Sequence, residues 1–200
     1  MGNLMTTLTD KHINYETNCR QMFVGQKIRG VIYGEVKYYA DEDGNNINPK
    51  PYYETKFADI DTLDHSIYFK TDDKTIYVYW DNTFISYGLL SSQIDLDETT
   101  NTNEQKWDVS SDPKWADCIG NKIIEFKILW VETWTSELDG SNKVYTTYPQ
   151  SFEIKTDKDK TIIISAAEFQ RPNENEIYTL MDNLLVTTNV DLARQLKLIE

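Results

Sequence analysis

The chain has 200 residues, 40% of them apolar, which is enough to bury a sizeable core and argues against disorder of the whole. Lys and Arg number 20 against 33 Asp and Glu, a net charge of −13, shared as −7 over residues 1–100 and −6 over residues 101–200. A nucleic-acid binder must neutralise phosphates with basic side chains, so this composition argues against nucleic acid and anionic membrane surfaces and favours attraction to a basic protein partner or a cation.

In chain order, residues 1–21 show neither the basic start nor the apolar run of a secretory signal. No later stretch approaches the ~20 apolar residues of a membrane span, so a cytoplasmic location is the default expectation. After the polar pair Thr9-Asp10, the residues Tyr15, Cys19, Met22 and Phe23 fall at helical spacing and predict a helix ending before Gly25. Ile28 to Tyr39 is rich in β-branched and aromatic residues and reads as a strand, followed by a turn at Asp43-Gly44. The acidic segment Asp59-Ile60-Asp61-Thr62-Leu63-Asp64 reads either as a solvated loop or as negative surface for a basic partner. Ile67 and Phe69, then Ile76, Val78 and Trp80, alternate with polar or tyrosine positions across Asp72-Asp73, the pattern of a hairpin with one buried face. A further strand is expected near Phe84 to Leu90.

The polar run from Glu98 to Gln105 has no apolar period and reads as the start of a linker. Asp112-Pro113 ahead of Trp115, Cys118 and Ile119 predicts a short capped helix before Gly120. Ile123 to Trp134 then reads as a strand, Asp139-Gly140 as a turn, and Phe152, Ile154, Ile162, Ile164 and Ala166 as a second hairpin about Asp157-Lys158-Asp159. Leu184 to Thr188 is the last expected strand, with Asn189 capping a final helix through Leu196.

These elements repeat. Gly25-Gln26-Lys27-Ile28 recurs as Gly120-Asn121-Lys122-Ile123, and Ser66 to Asp72 is echoed by Ser151 to Asp157. Asp73-Lys74-Thr75-Ile76 recurs as Asp159-Lys160-Thr161-Ile162, and Leu89-Leu90 as Leu184-Leu185. The order is collinear throughout, which favours internal duplication. The expected fold is therefore α+β, predominantly antiparallel β. Two tandem copies of a unit of about 75–95 residues, each preceded by a short helix, would pack together with pseudo-symmetry and share core surface. The expected boundaries are 1–97 for the first copy with its N-terminal helix, 98–111 for a polar linker, and 112–200 for the second copy with a C-terminal helix.

Catalytic signatures are sparse. Only His12 and His65 could serve a histidine-based triad, and no nucleophile elbow or phosphate-cradling glycine loop occurs. Cys19 and Cys118 lack metal-type spacing. Asp41 to Asn46 resembles part of a calcium loop, but Tyr39 and Lys50 stand where carboxylates are required, so a polar turn explains it. No catalytic residue, metal site or cofactor is assigned. The candidate partner-binding residues are Tyr77 and Tyr79, on the face opposite Ile76, Val78 and Trp80, with the acidic Asp59, Asp61, Asp64, Asp95, Asp97 and Glu98. Ile163 and Ser165 replace the two tyrosines in the second copy, so only the first is expected to present this aromatic face. Trp130 and Trp134 share a face of their own strand.

Tyr148-Pro149-Gln150, Ser165-Ala166-Ala167-Glu168 and Met181-Asp182-Asn183, taken with the acidity and aromatic-rich strands, give the chain a general similarity to the small acidic immunity proteins that bacteria make against polymorphic toxins. That resemblance implies a stoichiometric inhibitor covering the active site of a basic toxin or enzyme. A carbohydrate-binding β module and an enzyme of unfamiliar type using Asp or Glu are the alternatives.

Overall fold

The computed structural model describes residues 8–36, 55–95, 104–170 and 176–200. Helix α1 (Asp10–Phe23) is followed by β1 (Gly30–Val36), β2 (Ile60–Leu63), β3 (Ser66–Lys70), β4 (Thr75–Asp81), β5 (Gly88–Ile94) and β6 (Glu104–Asp108). Then come α2 (Pro113–Ala116), β7 (Ile123–Thr135), β8 (Val144–Thr156), β9 (Thr161–Phe169), β10 (Ile177–Thr187) and α3 (Val190–Gln195). The strands form two five-stranded antiparallel sheets, ordered β5-β4-β3-β1-β6 and β2-β10-β9-β8-β7. No helix among the described residues is long and apolar enough to cross a membrane.

Alternation along each strand places one apolar face inward. Val31, Ile67, Phe69 and Val78 of the first sheet join Phe126, Phe152, Ile154 and Ile164 of the second in one buried cluster. Phe23, at the end of α1, reaches both sheets: its ring stacks on Phe126 at 4.7 Å and meets Phe69 and Phe152 edge-on at 6.3 and 6.5 Å. The outer face of the second sheet is closed by the chain's own C-terminus, where Ile163, Ala167 and Leu185 bury against Ala193, Leu196 and Leu198.

Caps follow the local sequence. Asp112 accepts the Lys114 N–H at 2.9 Å with Pro113 beginning α2, and Asn189 accepts the Leu192 N–H at 3.0 Å to start α3. At α1, His12 takes the part that Glu or Gln plays in a capping box. Its Nδ1 accepts the Thr9 N–H at 3.0 Å, and its Nε2–H donates to the Thr147 carbonyl of β8 at 3.1 Å. One histidine thus caps a helix and fastens it to a strand of the other half of the chain.

The segments Gly25–Ile28 and Gly120–Ile123 lie antiparallel to each other. Gly25 N–H donates to Ile123 O and Gly120 N–H to Ile28 O, both at 2.8 Å; Ile28 N–H donates to Asn121 O at 3.0 Å and Ile123 N–H to Gln26 O at 2.8 Å. Exchanging the two segments leaves this set of bonds unchanged. Both glycines hold positive φ, +94° and +83°, a conformation that a side chain would strain. The strand registers also correspond. Val31 lies opposite Phe69 as Phe126 does opposite Ile154, Ile67 opposite Val78 as Phe152 opposite Ile164, and Val78 opposite Ser91 as Ile164 opposite Val186.

Several elements differ from the sequence reading. Residues 60–63, read as an acidic loop or surface, form β2, which joins the second sheet beside β10 rather than the first. Residues 104–108, read as linker, form β6 on β1. The strand expected from Phe84 begins only at Gly88, because Phe84 leaves the sheet to stack on His12 at 5.3 Å. The turn at Asp43-Gly44 and the calcium-like stretch lie outside the described residues.

Candidate functional site

Across β4, β3, β1 and β6, the outer face of the first sheet carries a row of rings. Tyr68 stacks on Tyr77 at 4.6 Å and Tyr77 on Tyr79 at 4.4 Å, with the Lys106 ammonium 4.2 Å from the Tyr68 centroid. Cross-strand register sets this row, because Tyr68 pairs with Tyr77 and Ser66 with Tyr79. On the same face, alongside the row, lies the buried carboxylate of Glu104, which accepts hydrogen bonds from Ser66 Oγ at 2.8 Å and from the Tyr68 hydroxyl and pairs with His65 Nδ1. Burial acts to raise the Glu104 carboxyl, but the hydrogen bonds from His65, Tyr68 and Ser66, with the charge of His65, outweigh it and hold the group below its ordinary value. Burial, then the neighbouring Glu104, push the Tyr77 hydroxyl up.

Gly34 makes this arrangement possible. It pairs with Ser66 on one side and Lys106 on the other, and a Cβ there would collide with Ser66 Oγ and lie 3.1 Å from both Glu104 Oε2 and Tyr68 Cε2. Gly34→Ala is therefore expected to lower the unfolding free energy by about 1–3 kcal/mol in urea denaturation. Adding Ser66→Ala, which removes the nearest obstructing atom, should recover part of the loss; a fully additive double mutant would contradict this origin.

A second acidic group adjoins the first. Glu35 is 1% exposed, and its carboxyl oxygens accept the Asp64 N–H at 3.1 and 3.2 Å. Burial, followed by the charges of Asp64 and Glu104, raises its pKa to about 9. Nearby, Trp115 Nε1–H donates to the Tyr33 hydroxyl, which donates to Asp61 Oδ2, each at 2.6 Å, and Lys114 Nζ lies 2.5 Å from Asp61 Oδ1. Asp61 and Lys114, at the end of this series, line a cavity of about 690 Å³ together with Phe57, Asp59 and Asp112.

The expected binding residues are thus divided. Tyr77 is buried at 8% exposure and Tyr79 is half-buried, so the aromatic face read as open is partly closed: each ring is covered by the next, and the Tyr68 and Tyr77 hydroxyls are turned to Glu104. Asp61 and Asp64 are also buried rather than presented to a partner, Asp61 because Lys114 and Tyr33 claim it. Asp59 is exposed and accepts from Asn189 Nδ2 at 2.8 Å, and Asp95 is exposed; Asp97 and Glu98 lie outside the described residues. Among the described residues, no group of three or more His, Cys, Asp or Glu side chains is arranged to hold a metal ion.

The exposed apolar side chains lie elsewhere. The far end of the β7–β8 hairpin bears Trp134, Leu138, Val144 and Tyr145, with Trp134 opposite Tyr145 and both at least half exposed. The end of the hairpin, Thr133–Thr135 with Val144–Thr146, stands as a two-stranded arm beyond the buried Thr147–Gln150, and among the described residues β8 pairs with β9 only over Ser151–Lys155. Pro149, which has no N–H to give, marks the change. The tip is held by its own hydrogen bonds, Glu137 N–H to Ser141 O at 3.0 Å and Asn142 Nδ2 to Glu137 Oε1 at 2.8 Å, and Lys143 sits 4.3 Å from the Trp134 centroid. Exposed Glu132, Glu137 and Asp139 make the arm acidic despite Lys143. The sequence reading placed Trp130 and Trp134 on one face but assigned neither to a partner. The excess of strand length over its pairing on β9, marked by Pro149, was the available signal.

Compared with known proteins, the chain matches no family model, no curated protein and no solved structure.

Proposed function

We propose that this chain is a non-catalytic binding protein for a basic protein partner, acting as an immunity-type inhibitor in the cytoplasm. The observation that carries the reading is the arm of β7 and β8, where four large apolar side chains are exposed beside acidic ones on a chain of net charge −13. Rigid aromatic side chains at a projecting site are what a protein interface uses as anchors, and the surrounding charge steers a basic partner toward them.

A tagged chain should retain one basic protein from lysate of its source cells at about 50 mM salt and less of it at about 500 mM. The purified pair should then re-form at one-to-one stoichiometry. Retention of no protein, or of one whose binding ignores salt, would overturn the reading.

We also infer that the chain arose by duplication of a helix followed by a four-stranded meander. Supporting this are the exchangeable bonds between residues 25–28 and 120–123 and the corresponding registers of β1-β3-β4-β5 and β7-β8-β9-β10. The copies have since diverged on their outer faces, where tyrosines in one stand against Ile163 and Ser165 in the other.

A further inference from the structure

We infer that the corner formed by Trp80, Tyr87 and Asp81, at the end of β4, is a receptor for a cationic side chain, the ammonium of a lysine or the guanidinium of an arginine on the partner protein. A cavity of about 350 Å³ opens there, lined by Trp80, Asp81, Asn82, Ser86 and Tyr87. The two rings stand nearly perpendicular, with centroids 5.1 Å apart and planes at 76°. A cation lodged in such a corner meets the negative face of at least one ring, and the Asp81 carboxylate on the same wall adds its charge.

The corner is built rather than incidental. Trp80 Nε1–H donates to the Asp64 carbonyl at 2.9 Å, and His65 meets the indole edge-on at 5.2 Å, which fixes the ring. Tyr87 holds φ at +61°, a conformation unfavourable for a side-chain-bearing residue, immediately before Gly88 begins β5. Asp81 Oδ1 accepts the Thr83 N–H at 2.6 Å, which orients the carboxylate and shapes the turn. The same loop already holds one of the chain's own cations: Lys11 Nζ lies 4.4 Å from the Phe84 centroid and donates to the Thr83 carbonyl at 2.7 Å. The loop is therefore suited to ammonium chemistry at one ring, and the Trp80–Tyr87 corner offers a second place.

This inference rests on the protein-binding reading for the source of the cation, whereas the chemistry of the corner stands by itself. The test follows the Trp80 indole N–H resonance of the full chain during titration with N-acetyl-lysine methylamide, N-acetyl-arginine methylamide and the uncharged N-acetyl-norleucine methylamide. The charged probes should shift it saturably in about the millimolar range, the norleucine probe should not, and Tyr87→Ala and Asp81→Asn should each weaken binding about tenfold. Trp80 is kept because its indole is bonded to Asp64, and unchanged dispersion of the other resonances reports an intact fold. Equal response to norleucine, or unaltered binding by both variants, would overturn the site. Choline binding more tightly than the lysine probe would assign it to a free small cation and overturn the partner-side-chain assignment. Should the two variants still capture the basic partner with wild-type affinity, this corner fails while the protein-binding reading survives; capture of no protein by the wild type removes that reading and, with it, this source of the cation.

Discussion

Phe23→Ala is expected to lower the unfolding free energy by about 3–5 kcal/mol, the range for emptying a buried aromatic site that cannot collapse. Phe23 is fully buried and touches Phe69 of one sheet and Phe126 and Phe152 of the other, so its loss opens a void where the two sheets and α1 meet. Rings from two sheets cannot close on that void without shifting strands whose registers are fixed by their ladders. Urea denaturation gives the size of the effect, and Phe23→Leu, which refills most of the volume, should cost much less. Equal losses for the two substitutions would place the effect in the helix end rather than in the core.

Glu35→Gln is expected to act in the opposite direction, by an amount that grows as pH rises above about 4.5. The folded state holds the Glu35 proton until about pH 9, whereas the unfolded chain releases it near the ordinary value of 4.5. Between those limits the folded state binds the extra proton, so this group's contribution to stability is full below pH 4.5 and is lost as pH rises toward 9. A displacement of this size sets an upper bound of roughly 6 kcal/mol, and the expected gain at pH 8 is on the order of a few kcal/mol. The amide keeps an oxygen to accept the Asp64 N–H and never carries charge. Denaturation of both proteins at pH 4 and pH 8 should show near-equal stability at the first and a more stable variant at the second; a difference independent of pH would contradict the assignment of the buried proton to Glu35.

The helices, their caps at Asp112 and Asn189 and both central hairpins were legible because each depends on neighbours in sequence: a polar cap before an apolar period, or alternation about a turn. The strand β2 was not, since Ile60, Thr62 and Leu63 sit among aspartates, and only pairing with β10 and the ion pair of Asp61 with Lys114 make burial of that stretch tolerable. The same reason hid the candidate site. Tyr77 and Tyr79 share a face opposite Val78, as read, but that face also holds Glu104, and a carboxylate in a polar run gives no local sign that a histidine and a tyrosine will enclose it. The arm at Trp134 and Tyr145 fell between the two cases: its pattern was visible as strand, while its projection depends on where β9 ends.

The crossing of β2 into the far sheet has a consequence for synthesis. Ile60 to Leu63 leave the ribosome long before their hydrogen-bonding partners, Leu184 to Thr187. Pairing across so much chain closes a large loop and slows the search for the native state. The nascent chain must therefore keep an unpaired strand waiting until β10 has been made. Such a strand is open to wrong pairing in the meantime, and the three aspartates within and beside it, Asp59, Asp61 and Asp64, supply the charge that discourages it.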